Sequence, residues 1–430
     1  MDAAIIVFPD IPGEPVQLPL GVCKIATHCN AYFDIFVLDQ RIEKDVYGRI
    51  KEIATNRNIL CVGLSVMTGK QIESAVNLSK HLSGNYPVVW GGVHATMLPE
   101  QTINEGYVDY VIVGEGEQAF LELLFKLSES HPDGKASYTS KVRRSYEFNC
   151  FSGFEDSSQI DYSLIPGVSS YVTARDGFSR ALPIETSRGC PFACGFCHNS
   201  AFRRSYRRVR TRTVCSDLAI MKSSFDLDGV VFQEDNLFVQ KGAVLDVLDC
   251  LKNCGLRWKA NARIDVFAKF ANDHKFLREL VSSGCQLLQF GIESGSDRVL
   301  DLINKRIRAE DAIALNQRLK GLPLRIRYNF MVGFPTETKM EMEKTLALME
   351  RLMGDNSNVE PPFLNVYTPY PGTPIYGMAI EKGFVEPTST EGWASLSWNE
   401  TTSPWVPAPL RAKIIDMSRK MYEDSGYMKG

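Results

Sequence analysis

The 430-residue chain has no apolar run that reaches the roughly 18 residues of a membrane-spanning helix, which excludes that class of membrane anchor. It lacks a basic start: MDAAIIVFPD places an acid where a secretory signal needs positive charge, and the apolar run that follows is short. A cytoplasmic protein is the expectation. An excess of charge is also missing. Lys and Arg number 48 against 51 Asp and Glu, a net −3, so no global field draws the chain to nucleic acid or to a membrane surface. Cysteine is absent after Cys285, which excludes a further thiolate-bound cluster in the C-terminal third.

What is present is ordinary for a globular protein, 44% hydrophobic and 23% charged residues, at a length that implies two or three domains. The eleven cysteines are scattered through a chain with ample core, which favours a reducing compartment over a disulfide scaffold. Cys23, Cys29, Cys61, Cys150, Cys215 and Cys285 are expected to be structural thiols. Cys250 and Cys254 fall four apart on one face of a predicted helix, and two thiols are too few for a cluster of their own.

Near-continuous apolar runs alternate with amphipathic stretches in two series. The first has strands predicted at Ala3–Phe8, Phe33–Leu38, Ile59–Leu64, Val88–Trp90 and Tyr110–Val113. Such a pattern makes a parallel sheet covered on both faces, an α/β doubly wound fold with ligands outside the carboxyl ends of its strands. Residues 131–180 carry no sustained period and are expected to link it to the second series. There the strands are predicted at Leu182–Thr186, Gly229–Gln233, Arg257–Asn261, Gln286–Gly291, Arg325–Val332 and Phe363–Tyr367. Helices between them include Val214–Ser224, Ala243–Cys254, Val266–Ser283 and Glu337–Leu352. The expected division is 1–130, 131–180, 181–380 and a Pro/Ser/Thr-rich tail, 381–430, ending in a helix over Leu410–Ser425.

The most informative segment is TSRGCPFACGFCHNS, with Cys190, Cys194 and Cys197 directly after the first strand of the second series. Three cysteines cannot complete a four-ligand structural zinc site. They can hold three irons of a [4Fe–4S] cluster and leave the fourth open. Buried apolar thiols are the plain alternative, but Gly189, Pro191 and Gly195 make this a tight turn rather than a core helix.

This CxxxCxxC loop resembles that of the radical S-adenosylmethionine (SAM) enzymes. The resemblance implies that SAM chelates the open iron and is cleaved to a 5′-deoxyadenosyl radical, with electrons from an external donor such as flavodoxin or ferredoxin. It implies a partial (β/α)6 barrel over residues 181–380. It also implies SAM-binding roles. Phe196, between two ligands, would pack near the adenine. Glu234, beside Asp235 in VVFQEDNLF, would project past the sheet and accept from the SAM ammonium; a pair of solvated acids is the plain alternative. Arg263 in ANARID would hold the methionine carboxylate, and Glu293 and Ser294 in FGIESGS the ribose and carboxylate.

The first series resembles the cobalamin-binding, Rossmann-like domain that precedes the barrel in one class of these enzymes. The resemblance rests on PLGVCKIA from Pro19, VGLSVMTG with Ser65 and Thr68, VVWGGVHAT with Gly91 and Gly92, and VIVGEGE. A hydroxyl can bond a buried heterocycle, and glycine lets backbone lie against it. Ser65, Thr68, Gly91 and Gly92 are therefore expected to contact cobalamin. The loop FPDIPGEP lacks the D-x-H-x-x-G histidine of His-on cobalamin proteins, and His28 and His94 are out of position for it. Arg203–Arg212 carries six arginines; the family has such a segment here, which favours an ion-paired face over a nucleic-acid grip.

The resemblance implies a cobalamin-dependent methyltransferase acting on an unactivated carbon of a small metabolite. A non-methylating radical SAM enzyme (dehydration, deoxygenation, cyclisation or rearrangement) is the second reading, and a non-catalytic cobalamin-binding protein the third.

Overall fold

The computed structural model describes residues 2–129, 142–143, 154–156, 160–202, 205–396 and 403–424. Cys150, Arg203, Arg204 and Ser425 lie outside the described residues. The chain divides into two compact units, one of Met1–Tyr171 with Glu386–Ser397 and the other of Val172–Val385 with Trp398–Gly430. No helix among the described residues is long and apolar enough to cross a membrane.

The first unit is a parallel sheet with strands β1 (Asp2–Phe8), β2 (Asp34–Asp39), β3 (Asn58–Ser65), β4 (Val88–Gly91), β5 (Tyr110–Ile112) and a two-residue edge, β6 (Val142–Arg143). Helices α1 (Leu20–Cys29), α2 (Val46–Ala54), α3 (Gln71–Leu82), α4 (Val93–Met97), α5 (Pro99–Asn104) and α6 (Gly116–Glu129) connect them. The central strand β1 is buried over five consecutive residues, Ala3–Val7, which is why its sequence is apolar without alternation. Val22, Ala26 and Cys29 of α1 and Leu123, Leu124 and Leu127 of α6 form a core with β1 and β3 residues. Strand order is 2-1-3-4-5-6, so the order reverses between β1 and β3. Ligands of such sheets bind at that switch point.

Two devices fix the loops there. Gln71, 1% exposed, accepts from the Met67 N–H (2.7 Å) and donates to the Pro9 carbonyl (3.0 Å), tying the β3 loop to the β1 loop. The second device is Glu386–Leu396, part of the Pro/Ser/Thr-rich stretch expected as a tail. Trp393 is fully buried and its indole donates to Gln101 (2.6 Å); Thr390 N–H donates to Glu105 (3.0 Å); Lys80 pairs with Glu391 (3.0 Å).

The second unit opens with a hairpin, β7 (Thr173–Arg175) against β8 (Phe178–Ile184), and a small ribbon of β9 (Ser187–Arg188) with β10 (Arg207–Arg208). Then come β11 (Gly229–Phe232), β12 (Arg257–Arg263), β13 (Cys285–Glu293), β14 (Arg325–Val332) and β15 (Phe363–Val366). The sheet order is 15-14-13-12-11-8-7, six parallel strands with β7 antiparallel at one edge. It is an open sheet with two edges rather than a closed barrel. Its helices are α7 (Asn199–Phe202), α8 (Thr211–Phe225), α9 (Lys241–Cys254), α10 (Ile264–Ala271), α11 (His274–Ser282), α12 (Asp297–Leu302), α13 (Ala309–Leu319), α14 (Lys339–Asp355), α15 (Tyr376–Glu381) and α16 (Ala408–Asp424). At the amino ends of the strands the hairpin residue Asp176 meets Lys259 and Arg327, each at 2.9 Å, and seals that end of the sheet with a buried ion network.

Three expectations are corrected. Val266–Ser283 is two helices, because the Asp273 carboxylate accepts from Lys275 N–H and starts a new one. Cys215 and Cys250, expected as thiols, are joined by a disulfide between α8 and α9, whose Cα atoms lie 5.0 Å apart. Strand β8 runs from Phe178 to Ile184, four residues earlier than its predicted start, because it pairs with β7. Cys23, Cys29, Cys61 and Cys285 are buried, and burial pushes their thiols up, as inert core cysteines require.

The buried Trp393 makes a direct test of the returning segment. Trp393→Ala should destabilise the first unit by about 3–5 kcal/mol, measured by urea denaturation, whereas a freely solvated tail would give no change.

Candidate active site

Between β8 and α7 the chain has almost no regular structure, so its polar groups must be satisfied from elsewhere. Gly195 is held on both sides: its N–H donates to the Ile303 carbonyl (2.7 Å) and its carbonyl accepts from Ile375 N–H (3.1 Å). A side chain there would lie 2.8 Å from Ile375 Cγ2, which is why this position is glycine. Asn304 Nδ2 donates to the Ala193 carbonyl (2.7 Å). The clamping segment turns sharply, with Asn304 (φ +51°) and Arg306 (φ +60°) both left-handed.

Each cysteine sulfur in the loop faces a donor: Phe192 N–H for Cys190, Asn199 N–H for Cys197, and Arg263 Nη1 at 3.0 Å for Cys194. Burial pushes the Cys197 thiol up to about 12 and also raises Cys190, and neighbouring thiols add to both shifts. Deprotonating Cys190 and Cys197 without a cation is thus unfavourable, and iron would supply that charge. No three His, Cys, Asp or Glu among the described residues converge on a single metal ion. Three thiols in one loop, each beside an N–H or guanidinium donor, are nonetheless a donor set that fits a cluster.

The structure brings Cys194, Phe196, Arg263 and Glu293 together around a residue that the sequence did not flag, Lys305. Glu293 ends β13 at a register irregularity opposite β14 and at φ +77°. An irregularity of that kind re-aims a side chain, and here the carboxylate meets Lys305 Nζ at 2.7 Å. That ammonium lies 5.8 Å from the Phe196 ring centre. The Lys305 carbonyl accepts from Arg263 Nη2 (2.7 Å). Phe196 packs on Phe334 (6.0 Å between centres), and Phe334 on Tyr367 (5.3 Å), an aromatic wall at the ends of β14 and β15.

Two side chains are committed elsewhere, and a third, Glu234, keeps its expected role but is buried rather than exposed. Arg263, expected to hold a carboxylate of SAM, spends its fork on Asp265 (3.0 and 3.2 Å). Ser294 is fully buried and bonds Thr345 Oγ1 (3.2 Å) and Ser296 N–H (3.1 Å), locking the loop to α14 instead of facing the cysteines. Glu234, expected to project past the sheet, is 3% exposed. Strand β8 ends at Ile184, so the Thr186 N–H and hydroxyl have no ladder partner, and Glu234 Oε1 accepts both (2.6 and 2.5 Å). Its Oε2 is buried without a hydrogen-bonding partner among the described residues. Burial pushes its carboxyl up to about 7. The neighbour Asp235 bears on Cys190 and Cys197 and accepts from Asn199 Nδ2 (2.5 Å). The orphaned Oε2 fits an ammonium donor such as that of SAM.

In the first unit, Ser65 and Gly91 pair across the carboxyl ends of β3 and β4. A side chain at Gly91 would touch only Ile112, at 3.8 Å, so nothing within the unit demands glycine there, and it leaves a flat, open strand end. That fits a ligand lying against backbone. Gly92 differs: at φ +91°, a side chain would meet the Val66 backbone at 2.8 Å, so its glycine is required by the fold. Thr68 Oγ1 lies 3.1 Å from His94 Nδ1. His94 is fully buried near Trp90 and Trp393, and burial pushes it down to about 4, which leaves it neutral.

Two outcomes follow. Cys190→Ala, Cys194→Ala, Cys197→Ala and Gly195→Val should each abolish the brown absorption of a reconstituted cluster, while Cys254→Ala should retain it. A carboxyl that binds its proton more tightly in the fold than in the open chain gives stability that falls as pH rises from about 4.5 toward 7. Glu234→Gln should flatten that fall in thermal melts of the apoprotein. Glu337, also pushed up to about 7 by burial, leaves a residual slope. The same variant should weaken SAM binding about tenfold or more; identical slopes in the two proteins would show that Glu234 does not titrate there.

The radical SAM superfamily profile matches residues 184–349, and the B12 binding domain profile matches 14–124. A protein of Pyrococcus horikoshii named uncharacterized methyltransferase PH0819 is 29% identical over 84% of this chain and 78% of its own length. An anaerobic magnesium-protoporphyrin IX monomethyl ester cyclase of Rubrivivax gelatinosus is 23% identical over 83% of this chain and 65% of its own. The radical SAM methyltransferase TsrM of Kitasatospora setae, solved with cobalamin and a [4Fe–4S] cluster bound, has the same fold. Its TM-score is 0.67 at 16% identity, covering 90% of this chain and 79% of that one. With a cysteine loop clamped for a cluster in one unit and a switch-point sheet in the other, the chain belongs to the radical SAM enzymes that carry a B12-binding domain.

Proposed function

We propose that the protein is a cobalamin-dependent radical SAM methyltransferase that acts on an unactivated carbon of a small metabolite. The observation that carries this reading is the presence in one chain of a clamped three-thiol loop and of a B12-type sheet whose open glycine, Gly91, has no internal cause. Bound there, the cluster and SAM would supply a 5′-deoxyadenosyl radical for hydrogen abstraction, and cobalamin would carry the methyl group.

The chain's own residues supply the rest. Cys190, Cys194 and Cys197 hold the irons, and an external one-electron donor reduces them. Glu234 Oε2, with Asp235 beside it, accepts from the SAM ammonium. The Glu293–Lys305 pair sets the polar side of the site, and Phe196, Phe334 and Tyr367 exclude water from a radical that would otherwise be quenched. In the first unit Ser65 and Gly91 lie against the cobalamin tail. The loop after β1 offers no histidine, so it would supply no imidazole to a bound cobalamin.

The cyclase among the relatives favours one second reading, a radical reaction of the same core without methyl transfer. Anaerobic reconstitution followed by incubation with SAM and reductant separates the two. S-adenosylhomocysteine together with 5′-deoxyadenosine is the expected outcome. 5′-Deoxyadenosine alone would favour the second reading, and failure to bind cobalamin would overturn the first. His28→Ala and His94→Ala should leave the visible spectrum of bound cobalamin unchanged, whereas loss of a nitrogen-coordinated spectrum in either would show that this histidine supplies an imidazole after all.

A further inference from the structure

Arg263 closes β12 and is more fully engaged than a substrate-binding arginine needs to be. The residue is 6% exposed. Nε and Nη2 grip the Asp265 carboxylate, Nη2 also donates to the Lys305 carbonyl at 2.7 Å, and Nη1 donates to Cys194 Sγ at 3.0 Å. The guanidinium carbon stacks 3.9 Å from the centre of the Phe192 ring, inside the same cysteine loop. Of the five N–H donors of a guanidinium, four are thus committed within the chain. Reaching a SAM carboxylate as a two-pronged fork would mean surrendering Asp265 or Cys194.

We propose that Arg263 is a positioning residue of the iron–sulfur cluster: it fixes the middle ligand, Cys194, and raises the potential at which the cluster accepts an electron. The physical basis is an oriented charge pair. The guanidinium lies against the sulfur and Asp265 on its far side, so the positive end faces the cluster. Reduction adds negative charge to the cluster and its thiolates. A cationic N–H donor at a ligand sulfur stabilises the reduced state more than the oxidised one. The clamp also couples this donor to the loop's scaffold, because Lys305, whose carbonyl fixes Arg263, follows the two residues that hold Gly195 and Ala193.

This inference rests on Cys190, Cys194 and Cys197 being the cluster ligands, and the test separates the two claims. Wild type, R263M, R263K and D265N are reconstituted anaerobically. Bound iron, the midpoint potential from electron paramagnetic resonance (EPR)-monitored redox titration, and SAM affinity are measured for each. The account expects R263M to retain iron and SAM affinity with a midpoint shifted to more negative potential, and R263K to fall between it and wild type. D265N should shift the opposite way, because it leaves the guanidinium charge uncompensated. A merely structural residue would not give opposite signs at the two positions. Unchanged midpoints in R263M and D265N overturn the proposal, as does an R263M protein that loses SAM affinity at an unchanged midpoint. Should R263M fail to hold iron, opposite shifts in R263K and D265N sustain the proposal and matching midpoints overturn it. A wild-type protein that assembles no cluster would instead refute the ligand assignment itself.

Discussion

The second unit depends on how a loop without regular structure is held still. Three thiolates can present a cluster only if the backbone between them is fixed, and helices or strands would carry the cysteines out of reach of one another. Here fixation comes from Gly195, bonded through both its N–H and its carbonyl, with Asn304 holding Ala193 and Arg263 holding Cys194. The clamp is short, Ile303 to Lys305, and the left-handed Asn304 within it and Arg306 just after it let the chain turn fast enough to place one carbonyl, one amide and one ammonium in three directions. Lys305 then joins Glu293 and Arg263, so the ends of β12 and β13 and the cysteine loop share a single buried residue.

The parallel sheets of the two units solve the same problem differently. Each places the carboxyl ends of its strands where a ligand is to sit. In the first unit Gln71 fastens the two loops at the switch point with one side chain, using both its donor and its acceptor. The returning segment with Trp393 adds cover over α3 and α5, and its ring lies 6.4 Å from His94, which in turn bonds Thr68 in the β3 loop. Thr68 is therefore braced from within the unit, whereas Ser65 and Gly91 stand at the open edge.

The fold was legible where burial dictates sequence. Arg325–Val332 was delimited to the residue because Ile326, Tyr328, Phe330 and Val332 are apolar and buried at every second position, the period of a strand. The cysteine loop was legible because spacing alone limits what three thiols can hold. What stayed hidden is long-range. Lys305 lies in INKRIR, a basic run with nothing local to set it apart, and only the fold brings it to Glu293. Asn199, two residues past Cys197, and the adjacent Asp235 could have been suspected from proximity to the ligands. The inward turn of Glu234 follows from where β8 ends, at Ile184, two residues before the expected end, which leaves the Thr186 amide for its carboxylate. Ser294 looked like a site residue because its motif names the loop and not the direction of each side chain. The Trp393 segment has too few apolar residues to announce a docking element, and Cys215 and Cys250 are joined only because α8 packs along α9.

The central claim is that the clamped loop holds a cluster whose fourth iron is open to SAM. EPR spectra of the anaerobically reconstituted, reduced protein test it most directly, recorded before and after adding SAM. The account predicts a [4Fe–4S] signal whose g-values change on SAM addition, because SAM would become a ligand of one iron. A signal that is unaltered by saturating SAM, or one that persists when Cys194 is replaced by alanine, would contradict it.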